Sequence, residues 1–341
     1  AMTRSVVKAI SKPLPFGLIK SMVKPSLVAP FYHTVSDRLP LHLASLYRVF
    51  TPEQFQKHLL FYLKHFEPIS AIDVPMVLSG QRKLKKVAIF LSFDDGFSEI
   101  HSVVEPILSK YSVPATFFVN PNFIDNKDML FRCKLSLIAN HFSATSSSNL
   151  FDAVCRLTDK KITNELQATK AILSLGYNQV EQIHSIATEV GIDFSDYLQR
   201  HKPYLTLSQL LDLSKKGYTV GGHSLSHPLF SEIPFEKQIA EIQQSVDWVQ
   251  SSIPNQPRLF AFPFTSFGAD KRLYQHFIGN NPKLDLMVGT SGYKPTANSR
   301  FVHRIPMENC NLGAKGQLKS ELFYYLAKKL VGKHTDKLGH D

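Results

Sequence analysis

Residues 87–96 read Val87-Ala88-Ile89-Phe90-Leu91-Ser92-Phe93-Asp94-Asp95-Gly96. The run up to Phe93 is apolar apart from Ser92 and shows no alternation, which predicts a strand buried on both faces, as in a parallel sheet. It stops at two adjacent carboxylates and a glycine. From Phe97 to Tyr111 the apolar spacing turns helical, and Val113 to Val119 (VPATFFV) is the next apolar run. Strand, loop, helix and strand make a βαβ unit, so the fold class is α/β.

The pattern continues on both sides. Upstream, Phe31-Tyr32-His33 ends a first strand. Thr51 reads as an N-cap followed by Pro52 and Glu53, opening a helix that carries Phe55, Leu59, Leu60, Tyr62 and Leu63. Downstream, Thr206 caps a short helix that stops at Gly217. Strands are predicted at Tyr218–Gly222, Arg258–Phe264 and Leu286–Thr290, with an amphipathic helix from Pro234 to Ser252. The stretch from about 125 to 203 carries helical patterns near 164–173 and 179–190. It reads as a helical insertion, because loops of that length are foreign to compact folds. The expected organisation is a basic N-terminal arm (1–30), one domain (31–320) holding the insertion, and a C-terminal helix and tail (321–341).

The chain has 341 residues, 43% of them hydrophobic and 20% charged, which excludes wholesale disorder. Three cysteines (Cys133, Cys155, Cys310) are too few and too scattered for a disulfide framework or a thiolate zinc site. No apolar run approaches the roughly 20 residues of a membrane span. In the first 32 residues Pro13, Pro15, Pro25 and Pro30 interrupt any signal-peptide core. A cytoplasmic, membrane-associated location is therefore expected. Lys8, Lys12, Lys20 and Lys24 flank apolar residues there, which suits either a packed irregular arm or a peripheral contact with anionic lipid. The net charge of +11 permits a nucleic-acid partner, but the basic residues are dispersed and lack aromatic interleaving, so none is expected.

Three segments at predicted strand ends carry chemistry, as catalytic side chains do on the rim of a (β/α) barrel. Asp94 and Asp95 disfavour each other's ionisation unless a cation neutralises one, which leaves the other free as a base. In Gly222-His223-Ser224-Leu225-Ser226-His227-Pro228, two imidazoles four apart can converge on one divalent ion; with a carboxylate as third ligand, a position stays open for water. A chance His-x-x-x-His is expected about 0.6 times in this composition, so its place after a strand carries the weight. Phe260-Ala261-Phe262-Pro263-Phe264 reads by itself as a buried strand with a proline stop.

Together these segments resemble the polysaccharide deacetylase family, the NodB-type domain of carbohydrate esterase family 4. Ser92-Phe93-Asp94-Asp95-Gly96 matches its opening motif and His223-Ser224-Leu225-Ser226-His227-Pro228 its histidine motif. Phe31-Tyr32-His33, Thr51-Pro52-Glu53-Gln54-Phe55 and Pro114-Ala115-Thr116-Phe117-Phe118-Val119 agree as flanks. The match covers about 31–124 and 204–307. The resemblance implies a deformed (β/α) TIM-like barrel and metal-dependent removal of N-acetyl groups from an amino-sugar glycan, in surface-polysaccharide or lipid-linked glycan assembly. It makes Asp95, His223 and His227 the ligands of one divalent transition metal, zinc first, with cobalt or nickel as alternatives. Asp94 becomes the general base and His303 the general acid. Phe264, after Pro263, would offer its backbone N–H to the oxyanion, and His33 would face the site.

The departures are equally specific. Ala261 stands where the family carries an arginine that orients the base, and Arg304 is the candidate to supply that charge from another strand. Phe264 replaces a tyrosine and Thr265 a glycine. The family's later tryptophan is absent, since Trp248, on a helix, reads as core. These leave two alternatives open: a deformylase or deacetylase of a small sugar precursor, and a catalytically silent glycan-binding member of the fold.

Overall fold

The computed structural model describes residues 11, 13–145, 148–158, 161–308, 312–330 and 332. In chain order the elements are α1 (Phe16–Val23), β1 (Leu27–Val28), β2 (Pro30–Tyr32), α2 (Pro52–His65), β3 (Glu67–Ile69), α3 (Asp73–Leu78), β4 (Ala88–Phe90) and β5 (Ser92–Phe93). A π-helical turn (Ile100–Val104), α4 (Glu105–Lys110) and β6 (Thr116–Val119) complete the predicted βαβ unit. Helices α5 (Phe131–Thr145), α6 (Ser148–Thr158), α7 (Glu165–Leu173), α8 (Val180–Glu189) and α9 (Phe194–His201) fill the stretch read as an insertion. The remainder is α10 (Leu207–Lys215), β7 (Thr219–Gly222), α11 (Phe235–Ser252), β8 (Leu259–Ala261), α12 (Arg272–Ile278), β9 (Leu286–Gly289), β10 (Phe301–His303), β11 (Ile305–Pro306) and α13 (Gly313–Leu330).

An eight-stranded parallel sheet runs β10-β9-β8-β7-β6-β5-β2-β11. Its two end strands are one stretch of chain. Residues 301–303 pair with β9 and residues 305–306 with β2, so the sheet closes into a nearly complete barrel at Arg304. The strand-helix alternation implied an α/β fold, and this is the TIM-like barrel that the family resemblance implied. The predicted strand over 87–93 divides at Leu91: Ala88–Phe90 joins β1 and β3 in a three-stranded patch, and Ser92–Phe93 joins the barrel.

Local signals set the helix starts. Thr51 accepts from the Gln54 N–H while the Gln54 side chain accepts from the Thr51 N–H, and Thr206 with Gln209 repeats this reciprocal cap. Val28, Tyr32, Phe93, Phe117 and Val220 lie in one apolar layer with helix residues such as Phe55, Leu59, Leu210 and Leu318. Phe90, Phe118, Ala261, Val288 and Val302 form a second cluster with other strand residues. Helices α5, α7 and α8 bury Leu135, Ile138, Ala168, Ile172, Ile183 and Ile186 in a further cluster, together with Leu43, Phe97 and Tyr204.

Two expectations change. The N-terminal segment is no irregular arm over its described length: Pro15 is the N-cap of α1, and Lys24 ends the helix in the left-handed region at φ 49°, so the prolines bound the helix instead of breaking it. Phe16 packs edge-on against Phe61 and Phe66. At the other end, α13 begins before the expected boundary at 320 and buries Ala314, Leu318 and Leu322. Cys310 lies outside the described residues.

Candidate active site

Side chains alternate along a strand, so Ser92 and Asp94 face one way and Phe93 the other, into the helical layer. Asp94 is 1% exposed. Arg304, fully buried, grips both its oxygens, Nη1 to Oδ1 at 2.6 Å and Nη2 to Oδ2 at 2.8 Å, and Nη1 also donates to the Ser92 hydroxyl at 3.0 Å. The guanidinium lies over Phe31 (4.3 Å) and Phe118 (5.2 Å). The charge missing at Ala261 is thus present, delivered from the seam that closes the barrel.

Asp95 follows with φ 69°, a left-handed conformation that turns its carboxylate away from the path of Asp94. Ser224, His227 and Phe264 are also left-handed (φ 64°, 59° and 52°). Four such non-glycine residues around one cleft require support from their surroundings. For the histidine loop it comes from two buried side chains. Asn120 donates to the carbonyls of His223 (2.5 Å) and Ser224 (3.1 Å). Glu241, on α11, accepts from the N–H of Leu225 and Ser226 and from the Ser226 hydroxyl. Gly222 is required where it stands: a Cβ would lie 2.5 Å from the Ser245 hydroxyl of the same helix.

His223 donates from Nδ1 to the Ala261 carbonyl at 2.9 Å, which leaves Nε2 as the acceptor. Its Nε2 lies 3.4 Å from Asp95 Oδ1, and His227 Nε2 lies 3.3 Å from the same oxygen. All three residues are buried and their ligating atoms lie within 4.8 Å of one another. Asp95 Oδ1 has no hydrogen-bond partner among the described residues. A divalent cation fits this set: two imidazole nitrogens and an orphaned carboxylate oxygen converge on one point. Burial works against the Asp95 charge, but His227, His223 and His33 outweigh it and hold the carboxyl well below its ordinary range. Burial keeps the His227 imidazole below its ordinary value, as a metal ligand requires.

His33 also lies at this rim. Its ring stacks on Tyr47 (4.3 Å between centroids), its backbone N–H donates to Glu308 Oε1 at 2.8 Å, and its ring Nδ1 bonds Glu308 Oε2. Burial opposes a charge on His33, but Glu308 overcomes it and raises the imidazole pKa to about 9. His303, expected as the general acid, is placed elsewhere. Val302 belongs to the cluster of Phe118, Ala261 and Val288, whereas Phe301 packs with residues of α11 and α12. By that alternation Arg304 turns toward Asp94 and His303 turns away, against Phe301 and into a different cavity beside Ser26, Leu27 and Tyr293. Pro263 is buried and leads into the turn at Phe264, whose ring is 40% exposed and meets His227 edge-on at 4.4 Å. Among the described residues nothing accepts the Phe264 N–H.

One cavity of about 250 Å³ unites Asp94, Asp95, His223, His227, His33 and Phe264. Tyr47, Arg132 and Thr290 are also part of its wall. Glu308, Tyr47 and Arg132 carried no motif. Only strand register could have found Glu308: β2 and β11 pair Pro30 with Ile305 and Phe31 with Pro306, and the same offset sets Glu308 against His33.

Residues 81–281 match the sequence profile of a family described as polysaccharide deacetylase. The chain belongs to that family. YxkH of Bacillus subtilis (strain 168), whose name places it among the polysaccharide deacetylases, is 21% identical over 169 residues, covering 49% of this chain and 58% of that protein. The chain therefore spans little over half the length of this relative. Among solved structures, the Streptococcus pyogenes deacetylase PplD in complex with acetate superposes with a TM-score of 0.56 at 18% identity, covering 86% of this chain and 97% of PplD. IcaB from Ammonifex degensii gives 0.52 at 13% identity, with 86% and 97% covered. These likenesses carry the deacetylase barrel fold, and no helix among the described residues is long and apolar enough to cross a membrane.

Proposed function

We propose that the protein is a metal-dependent N-deacetylase of an amino-sugar glycan, acting in surface-polysaccharide or lipid-linked glycan assembly. One observation carries this reading: the buried set Asp95, His223 and His227 shares a cleft with Asp94, a carboxylate held by its own arginine. Asp95 Oδ1, His223 Nε2 and His227 Nε2 would hold a divalent transition ion, zinc or else cobalt or nickel, which supplies Lewis acidity and an acidified water. Asp94, ionised and aimed by Arg304, takes the proton of the attacking water. The new C–O bond forms as the amide carbonyl becomes an oxyanion, for which the Phe264 N–H is the available donor. His33, protonated and fixed through Nδ1 by Glu308, delivers a proton from Nε2 to the departing nitrogen as the C–N bond breaks. The products are acetate and the free amino sugar.

The test is metal content together with acetate release. Wild type should hold about one transition-metal ion per chain. Asp95→Ala and His223→Ala should lose it, whereas Asp94→Asn should keep it and lose turnover. A chain that takes up no zinc, cobalt or nickel would overturn the mechanism. If Asp94→Asn has no effect on a metal-loaded chain, the protein is a silent glycan-binding member.

A peripheral membrane contact is part of this reading, supported by α1. Leu18 and Met22 are exposed there beside Lys20 and Lys24. Co-sedimentation with phosphatidylglycerol vesicles, weakened by Leu18→Ser with Met22→Ser, is the expected result. Equal recovery with neutral vesicles would refute it.

A further inference from the structure

We propose that Arg132 makes this cleft selective for an amino sugar that carries an anionic substituent, a phosphate ester or a carboxylate, near the reacting amide. The proposal rests on the deacetylase reading and extends it to substrate class.

Arg132 comes from the inserted helices. It stands in the first turn of α5 and lines the cavity that holds Asp95, His223 and His227. Phe131, its neighbour, meets Phe264 edge-on at 5.9 Å and ties this helix to the site. Every other fixed charge in the cleft has its answer: Arg304 in Asp94, His33 in Glu308, and Asp95 in the cation that it would hold with His223 and His227. Arg132 alone has no carboxylate partner among the described residues. Its one hydrogen bond runs from Nη1 to the Leu173 carbonyl, 3.0 Å away at the end of α7. That bond fixes the side chain and leaves most of the guanidinium fork unused. Burial works against its charge. A half-buried, oriented and unpaired guanidinium is the donor geometry that binds phosphate or carboxylate through two parallel hydrogen bonds. Capping α7 alone would use one N–H and would not require the cavity.

The experiment compares three probes on the zinc-loaded full chain: N-acetylglucosamine, N-acetylglucosamine 1-phosphate and N-acetylmuramic acid. Dissociation constants come from ligand-observed NMR, and acetate release is followed separately. At least one anionic probe should bind about tenfold tighter than the neutral sugar, as expected for a charge-assisted pair. The arm that shows the gain identifies phosphate or carboxylate as the source. In Arg132→Gln the ratio should fall to about one, and Arg132→Lys should keep part of it. If Arg132→Gln is unfolded by circular dichroism, Arg132→Met, which keeps the aliphatic stem, takes its place. Equal binding of all three probes by wild type would overturn the proposal. So would an anionic preference that survives in the Gln or Met variant, since the anion would then sit elsewhere in the cleft. Absence of acetate release from every probe would count against the deacetylase reading, while the binding ratio still decides Arg132.

Discussion

Arg304 and Asp94 form a two-pronged ion pair across the seam that closes the barrel, with both side chains almost wholly out of solvent. The same guanidinium that holds Asp94, the proposed base, also donates from its Nε to the Gly289 carbonyl at 3.4 Å. Removing one member leaves a buried charge unanswered, which costs about 3–5 kcal/mol. Arg304→Met should therefore lower stability by that amount and reduce acetate release more than about 100-fold. Arg304→Lys, a charge without the fork, should fall between. The double variant Asp94→Asn with Arg304→Met should regain much of the stability and none of the activity. Thermal unfolding read beside acetate release checks this, and additive stability losses would refute the coupling.

Glu241 holds the loop between His223 and His227 through three hydrogen bonds to Leu225 and Ser226. Glu241→Ala should weaken metal affinity about 10–100-fold, as loss of such supporting contacts does. Chelator competition on the purified chain measures it. An unchanged affinity would mean that the left-handed residues Ser224 and His227 hold the loop unaided.

The site was legible where its residues are sequence neighbours and illegible where only strand register unites them. Asp94 with Asp95, and His223 with His227, announce themselves because one strand end and one loop deliver each pair. Glu308 reaches His33 from the far end of the chain, through a pairing of β2 with β11 that no local pattern encodes. His303 and Arg304 could be told apart only once the inward face was known. Phe301 and Val302 are both buried, so hydrophobicity does not say which alternate residue turns to the centre. The run 87–93 looked like one strand because both its halves are apolar, yet its neighbours change at Leu91. The α/β class was readable from the alternation of strands and helices, whereas the barrel followed from the resemblance carried by the motifs, since closure depends on the pairing of β11 with β2.

Two buried histidines outside the cleft set an acid limit on stability. Burial, with Arg48 nearby, depresses His58 to about 4; burial, with His201 nearby, does the same for His42. His58 Nδ1 shares a hydrogen bond with the Tyr32 hydroxyl, which also meets Tyr62. Because the folded state prefers the neutral imidazoles, their contribution is complete above about pH 6.5 and is lost as the pH falls toward 4. Each is worth roughly 3 kcal/mol at most. Urea unfolding at pH 7 and pH 4.5 should show His58→Gln losing less stability over that interval than wild type. Equal losses would exclude His58 as a source.

His33 and Glu308 set the opposite limit. The folded-state value of His33, about 9, lies above its ordinary 6.5 because Glu308 outweighs burial. Its ion pair therefore supports the fold fully below about pH 6.5, and that support is lost as the pH rises through about 9. In the proposed mechanism His33 gives its proton to the leaving nitrogen as the charged imidazole, so kcat/KM should fall above about pH 9 in wild type. In Glu308→Gln only burial and the neighbouring charges remain, and the alkaline limb should move down by at least about two pH units. At pH 8 that variant should be nearly inactive, and it should recover as the medium is acidified. His303→Gln, with its ring turned into the other cavity, should keep the wild-type limb. A limb that stays near pH 9 in Glu308→Gln, or one that shifts in His303→Gln, would remove His33 from the role of proton donor.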